Sequence, residues 1–459
     1  MGALTYADLI GVDLGKLGTA VSDWKCAVDG LKRLMSDARS GLQTKSEGAR
    51  WAGLNADVTR EFVGKTAKEF ADLHKEASSI WSVLDDAHSQ LTEIQSGVKS
   101  IVAQAQDDGL RLSDNFDGTV RFLYPHTPGD DGIRTQAQLD TQEAYANRVN
   151  RKIALAAEID GLVKAALAKS HGKDAYNAGH SQYHSLAEVR ADRATEIASL
   201  GKDANPKQRA ELRKIWDGLS PELRARVWQE NKDGLMAAGV MSPQYKWKPA
   251  DVGSGKFHSR DPGYKDYLFQ LEAKAMAKGG GLGGYDQGAR ALAHYLGGSG
   301  KPLDLDINRM WDEDGGFRKA ATENLSKHED EWRQKALKAF EESGGRPVSI
   351  PVETKAEGYE QGDRDWNFAV GHAMVNHSGV VSVEPGPHGG KPKVSLDYQV
   401  NVWDRYNWDD DTSFDIAGVT VTGKQMQGLH QTGLAQEFNM HGSSSTHSRD
   451  LTEAREPKG

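Results

Sequence analysis

The stretch Val394 to Asp404 reads VSLDYQVNVWD. Its apolar and polar residues alternate, which is the period of a β-strand. Working outward, the same alternation recurs in PVSIPVE from Pro347, SGVVSVE from Ser378 and FDIAGVTVTG from Phe414. PGPHGGKP and NWDDDT divide these pieces as turns. Helical patterns persist nearby, in Asp266 to Gly279, Ala289 to Gly298 and Asn308 to Glu342. KQMQGLHQTGLAQEFNMHG is expected to be the final helix, and the charged tail after Ser443 is expected to be disordered. The last third therefore reads as an α+β domain.

Upstream the period changes. Leu14, Leu17, Val21, Trp24, Val28, Leu31 and Leu34 recur every three or four residues, the stripe of an amphipathic helix. A second stripe runs through Val58, Phe62, Phe70, Leu73, Ile80, Leu84, Leu91, Ile94, Val98 and Ile101. LQTKSEGARWAGLNAD lies between them as a polar turn, so the two helices are expected to form an antiparallel hairpin. Arg134 to Ser170 extends the helical region. Short helices follow at PKQRAELRKIWDGL and PELRARVWQEN, the second with Ser220 as N-cap and Pro221 at its first position. The expected fold class is an all-α N-terminal long helical hairpin or bundle followed by a C-terminal α+β domain. The expected boundaries are 1–124 for the hairpin, 125–250 for a helical extension and linker, and 251–459 for the α+β domain.

The chain has 459 residues, enough for several domains. Lys and Arg number 57 and Asp and Glu 66, a formal charge of −9 that argues against nucleic acid as the main partner. Hydrophobic residues make up only 37%, and the 50 glycines point to a loop-rich protein. The single Cys26 excludes an intrachain disulfide framework and any cysteine-rich metal site. Cys26 is expected to be a buried or half-buried structural thiol within the first stripe. No apolar run is long enough to span a membrane. The N-terminus lacks the basic and apolar regions of a cleaved export signal, so the protein is expected to be cytoplasmic or to leave by a signal-peptide-independent route.

Standard catalytic signatures are missing. VDLGKLGT (Val12 to Thr19) has no strand before it and reads as a helix start rather than a phosphate loop. GGGLGGY (Gly279 to Tyr285) reads as a hinge between helices. HEDEW at His328 does not complete a zinc-protease motif, and the glycines around Ser299 are misplaced for a nucleophile elbow.

The main polar constellation is VWDRYNWDDDTSFDI, Val402 to Ile416. Alternation puts Asp404, Tyr406 and Trp408 on one strand face and Arg405 with Asn407 on the other. Closely spaced carboxylates bind a hard divalent ion, here through Asp404, Asp409 and Asp411, or share one proton for acid–base work. A solvated acidic turn has the same composition. His372, His377 and His388 fall near the strands, and His430, His441 and His447 lie further on. His430 is the candidate base near neutral pH, with a helix-surface histidine as the alternative. The candidate catalytic set is Asp404, Tyr406, Asp409 and His430.

Two long amphipathic helices around Trp51-Ala52-Gly53 resemble the WXG100-like helical domain of type VII secretion substrates. That resemblance implies a hairpin bend shaped by Trp51 and Gly53, and packing or partner roles for Trp24, Trp51, Gly53 and Phe62. It also implies a secretion component or small helical protein as partner. RKIWDGLSPELRARVWQEN is similar to a linker that precedes toxin domains in large actinobacterial proteins, which implies an effector-like C-terminal domain and an immunity protein. Asp404 and Tyr406 resemble the start of the Asp-x-Tyr-Asp arrangement of colicin M-type toxins, which hydrolyse lipid-linked peptidoglycan precursor. Asn407 stands in place of the second Asp, and Asp409 is the nearby substitute. The function expected is thus a secreted or injected effector, the alternatives being a non-enzymatic interaction protein and a colicin M-like hydrolase.

Overall fold

A computed structural model of the chain describes residues 3–50, 52–125, 132–170, 182–243, 245–410, 413–416 and 419–453. The chain divides into two compact units, Met1–Arg193 and Ala194–Gly459. The first is predominantly helical and the second is mixed α+β, as the two periodicities predict.

The helical unit opens with α1 (Tyr6–Gly11), closed by a Thr5–Asp8 capping box. Next comes α2 (Leu14–Ser36), whose N-cap Asp13 accepts from the amides of Gly15 and Lys16. The helical path continues through a π-helical turn, Asp37–Gln43, and α3 (Thr44–Gly48). The expected turn from Leu42 to Asp57 is therefore largely helical, and α4 (Leu54–Asp107) begins directly after Gly53. Gly53 has φ +108, a conformation open to glycine and strained for other residues.

Beyond α4 the chain makes a hairpin of β1 (Arg111–Asp114) and β2 (Val120–Leu123), which periodicity did not reveal. Then follow α5 (Gln136–Ser170) and α6 (Leu186–Ala198). The core runs through Val83, Ile94, Val98, Val149, Ile153, Ile159 and Leu186, where the second stripe meets α5.

In the second unit, α7 (Pro206–Gly218) and α8 (Pro221–Ala237) each start on a side-chain cap with proline in the first turn; Ser220 accepts from Leu223 N–H as expected. Next are α9 (Tyr264–Leu282), α10 (Asp286–Leu296) and the short β3 (Leu303–Asp304). The segment expected to be helical from Asn308 to Glu342 is three helices: α11 (Ile307–Glu313), α12 (Gly315–Ser326) and α13 (Glu329–Glu342). Asp314 breaks the path; it is extended, and its carboxylate caps Phe317 N–H.

The sheet is built on β6 (His372–Glu384) and β7 (Lys393–Tyr406), paired antiparallel from Met374↔Trp403 to Glu384↔Lys393. β4 (Val348–Glu353) and β5 (Glu357–Glu360) flank β6, and α14 (Arg364–Val370) precedes it. A separate hairpin joins β8 (Ser413–Ile416) to β9 (Val419–Thr422), which leads into α15 (Gly423–Gln431).

Two expectations fail here. The final helix stops at Gln431, and Phe438–Ser443 is a strand, β10, between β7 and β3. Gly433, at φ +72, turns the chain out of the helix. The tail expected to be disordered instead carries a strand, β11 (His447–Asp450), which pairs with β7 from His447↔Tyr398 to Asp450↔Ser395; residues 454–459 lie outside the described residues. Ladder bonds, rather than apolar content, hold so polar a strand.

Register sets the two faces of the sheet. Val375, Val381 and Val383 of β6 join Leu396, Val400, Val402 and Tyr406 of β7 in one core with Tyr295, Phe317, Leu325 and Trp332. The opposite face is polar. Asn376, Ser378, Asp397, Asn401 and Arg405 are all buried there. Asp397 on this face takes Trp228 Nε1 at 3.4 Å and Lys232 Nζ at 2.6 Å, which ties α8 to the sheet.

Candidate functional site

Three of the expected catalytic residues, Asp404, Tyr406 and Asp409, sit where β7 leaves the sheet. Tyr406 belongs to the core, stacked on Phe438 at 5.0 Å between centroids and flanked by Tyr295 and Trp408. Burial pushes its hydroxyl strongly up, so it stays neutral and structural.

Asp404 differs. Its half-buried carboxyl is pushed up to about 7, first by burial and further by the charge of Asp409, against the Arg405 backbone amide and the Lys248 ammonium. Asp409 is exposed and accepts from Asn407 Nδ2 at 3.3 Å. Asp404 and Asp409 therefore share an electrostatic neighbourhood, with Lys248 as the nearby cation.

The segment 250–258 is moulded against this end of β7. Gly253, at φ +88, lies so close to Asn407 and Asp409 that an added Cβ would run into both side chains. Fully buried Ser254 receives Trp408 N–H at 3.3 Å, and its hydroxyl reaches Trp408 O at 3.4 Å. Its own amide donates to Glu437 Oε1 at 3.2 Å. Gln427 Nε2 also donates to Trp408 O, at 3.0 Å.

His430 sits on the far side of that segment and is only 2% exposed. Its Nδ1 accepts from Glu437 N–H at 3.3 Å, so Nε2 carries the proton and donates to Gly255 O at 3.1 Å. Burial lowers its pKa, with the Gly255 carbonyl opposing and the Arg405 charge adding. Both ring nitrogens are committed to backbone, which makes His430 a clamp for the 250–258 segment rather than a free base. The expected helix-surface alternative fails as well, because the ring is buried.

Pairing at this site is dominated by Arg405, expected on the strand face opposite Asp404, and by Glu437, which the sequence did not single out. Arg405 donates through Nε and Nη2 to Glu437 Oε2 at 3.1 and 2.9 Å, and through Nη2 to Ala250 O at 2.6 Å. Their separation of 32 positions leaves no local pattern, so only a charged residue within β7 and another just before β10 could have hinted at it.

The expected divalent-ion site finds no ligand set. Among the described residues, no group of three or more His, Cys, Asp and Glu is placed to hold a metal ion. Asp411 lies outside the described residues.

In the helical unit, Trp24 Nε1 donates to Ala77 O at 2.9 Å and pins α2 to α4. Phe62 is 68% exposed, as are Leu54 at 80% and Val58 at 57%, one helical turn apart along α4. Phe62 is therefore mostly exposed rather than buried in the hairpin. Trp51 lies outside the described residues. Cys26 is exposed rather than buried. Among the described residues, no helix is long and apolar enough to cross a membrane. Comparison with known proteins finds no family model, no curated protein and no solved structure that matches the chain.

Proposed function

We propose that the chain is an effector-like protein whose second unit is a hydrolase domain and whose helical unit is an export or docking module. The observation that carries the catalytic part is the Asp404–Asp409 pair. Near neutral pH the Asp404 carboxyl keeps a proton much of the time beside an exposed carboxylate. General acid–base hydrolysis needs that combination of one proton donor and one acceptor.

In the proposed step, Asp409 takes a proton from water as the water oxygen bonds to the electrophilic centre of the substrate. The bond to the leaving oxygen breaks, and Asp404 passes its proton to that oxygen. Exchange with solvent restores both groups. Lys248, whose charge acts on Asp404, supplies positive charge for a negative centre that develops nearby.

The Asn407–Asp409 bond supports Asp409 as the substitute for the second aspartate of the colicin M-type arrangement. On that resemblance the substrate is lipid-linked peptidoglycan precursor. Asp404→Asn and Asp409→Asn in the full chain test the reading through release of the phosphorylated head group. Each variant is expected to lose about 100-fold or more in rate. Wild-type failure to release it, or folded variants of undiminished rate, would remove the pair from the mechanism.

A non-enzymatic interaction role is the second reading. It is favoured by His430 and Tyr406, both of which are held in structural contacts. On either reading the partners proposed are a secretion component or small helical protein, and an immunity protein.

A further inference from the structure

On the polar face of the sheet lies a cleft of about 760 Å³, within the usual range for a small-molecule site. Met374, Asn376 and Ser378 of β6 and Trp403 of β7 form its floor, and α7 with Val240, Met241, Ser242 and Lys246 forms one wall. The floor is tied into a chain of hydrogen bonds. Asn401 Nδ2 donates to Asn376 Oδ1 at 3.0 Å and to Ser378 Oγ at 2.9 Å, and Ser443 Oγ donates to Asn401 Oδ1 at 2.7 Å. These groups are spent on one another and fix the floor rigidly.

The charges at the rim are not balanced in the same way. Of the two acids, Glu353 already accepts from Asn376 Nδ2 at 2.7 Å, and the charge of Asp217 acts on Arg224. The three cations Arg213, Lys246 and Lys355 form no ion pair among the described residues. Arg213 has one fixed partner, Gly239 O, at 2.8 Å from Nη2, which leaves guanidinium N–H groups to spare. Trp403 is 4% exposed, yet its indole Nε1 has no hydrogen-bond partner among the described residues. A buried donor in that condition is costly unless something accepts from it. The cleft thus offers surplus donors and positive charge beside the apolar surfaces of Trp403, Met374 and Val380.

We propose that this cleft binds an organic anion, with a carboxylate or phosphate head held by Arg213, Lys246 and Lys355 and an apolar body laid against Trp403 and Met374. It does not depend on the Asp404–Asp409 chemistry, because Trp403 and Asp404 leave β7 on opposite faces.

The test is calorimetric titration of the full chain with naphthyl phosphate, naphthylacetate, uncharged naphthylmethanol and inorganic phosphate. At least one naphthyl anion should bind one-to-one, and about tenfold more tightly than the alcohol. Inorganic phosphate should bind more weakly than naphthyl phosphate, because it lacks the apolar body. The stronger of the two naphthyl anions identifies the head group. Lys246 and Lys355 are exposed, so the double variant Lys246→Met/Lys355→Met should fold normally. It should weaken anion binding about tenfold and leave the alcohol unchanged. Absence of anion binding, equal affinity for anion and alcohol, equal affinity for naphthyl and inorganic phosphate, or a double variant that binds as wild type would each overturn the proposal.

Discussion

Arg405 and Glu437 form a buried ion pair in which the side chains are 9% and 0% exposed. The pair joins β7 to the segment just before β10, and Ala250 O, Asn439 Oδ1 and Ser254 N–H add further hydrogen bonds to it. Burial raises the Glu437 pKa while Ser254 and Arg405 oppose, so the carboxylate relies on these partners. Removal of one partner strands the other charge. Glu437→Leu is expected to cost about 3–5 kcal/mol in urea unfolding. Arg405→Met/Glu437→Leu should recover most of that loss. If the double variant is as unstable as the single one, the pair is not the source of the cost.

Asp404 makes the protein less stable as pH rises. Its carboxyl, ordinarily near 3.8, is raised to about 7 in the fold. Between those values the native state binds more protons than the unfolded chain, so stability falls with pH through that window. Asp404→Asn removes the charge and should stabilise by about 2–4 kcal/mol at pH 8, with little effect below pH 4. Urea midpoints at the two pH values check this. A gain of equal size at both would assign the effect to packing.

His377 has the opposite sign. It is 1% exposed, and both ring nitrogens lack hydrogen-bond partners among the described residues. Burial lowers its pKa to about 4, and the charges of Arg449, His328 and His447 add to the effect. The unfolded chain takes up the proton first, so stability present above pH 6.5 is lost as pH falls toward 4. The loss amounts to about 3 kcal/mol. His377→Phe should flatten that acid limb, read as the difference in urea midpoint between pH 7 and pH 4.5. An unchanged slope would place the acid sensitivity elsewhere.

Periodicity revealed the division into helical and α+β units because each long element buries one continuous face. It failed where the governing term was not local. The helix expected to run on past Gln431 ends there, because Gly433 turns the chain and β10 is held by its ladder with β7. β11 has almost no apolar content and exists through the same strand. The acidic run drew attention to the right end of β7. Burial of Tyr406, the backbone bonds of His430 and the Arg405–Glu437 pair then decided what each residue does there. None of these contacts leaves a trace in spacing, since their partners lie on other elements.

In the helical unit, Trp24 and Phe62 separate stability from docking. Trp24→Phe removes the bond to Ala77 O and should cost about 1 kcal/mol. Phe62→Ser takes apolar surface from an exposed row with Leu54 and Val58, and should change stability by less than about 0.5 kcal/mol. If that row meets a partner, Phe62→Ser lowers export while the urea midpoint stays fixed, and Trp24→Phe lowers the midpoint first. Secretion of both variants is measured against wild type from the same cells. Undiminished export of Phe62→Ser would exclude the row as the docking surface, because its aromatic centre is then dispensable.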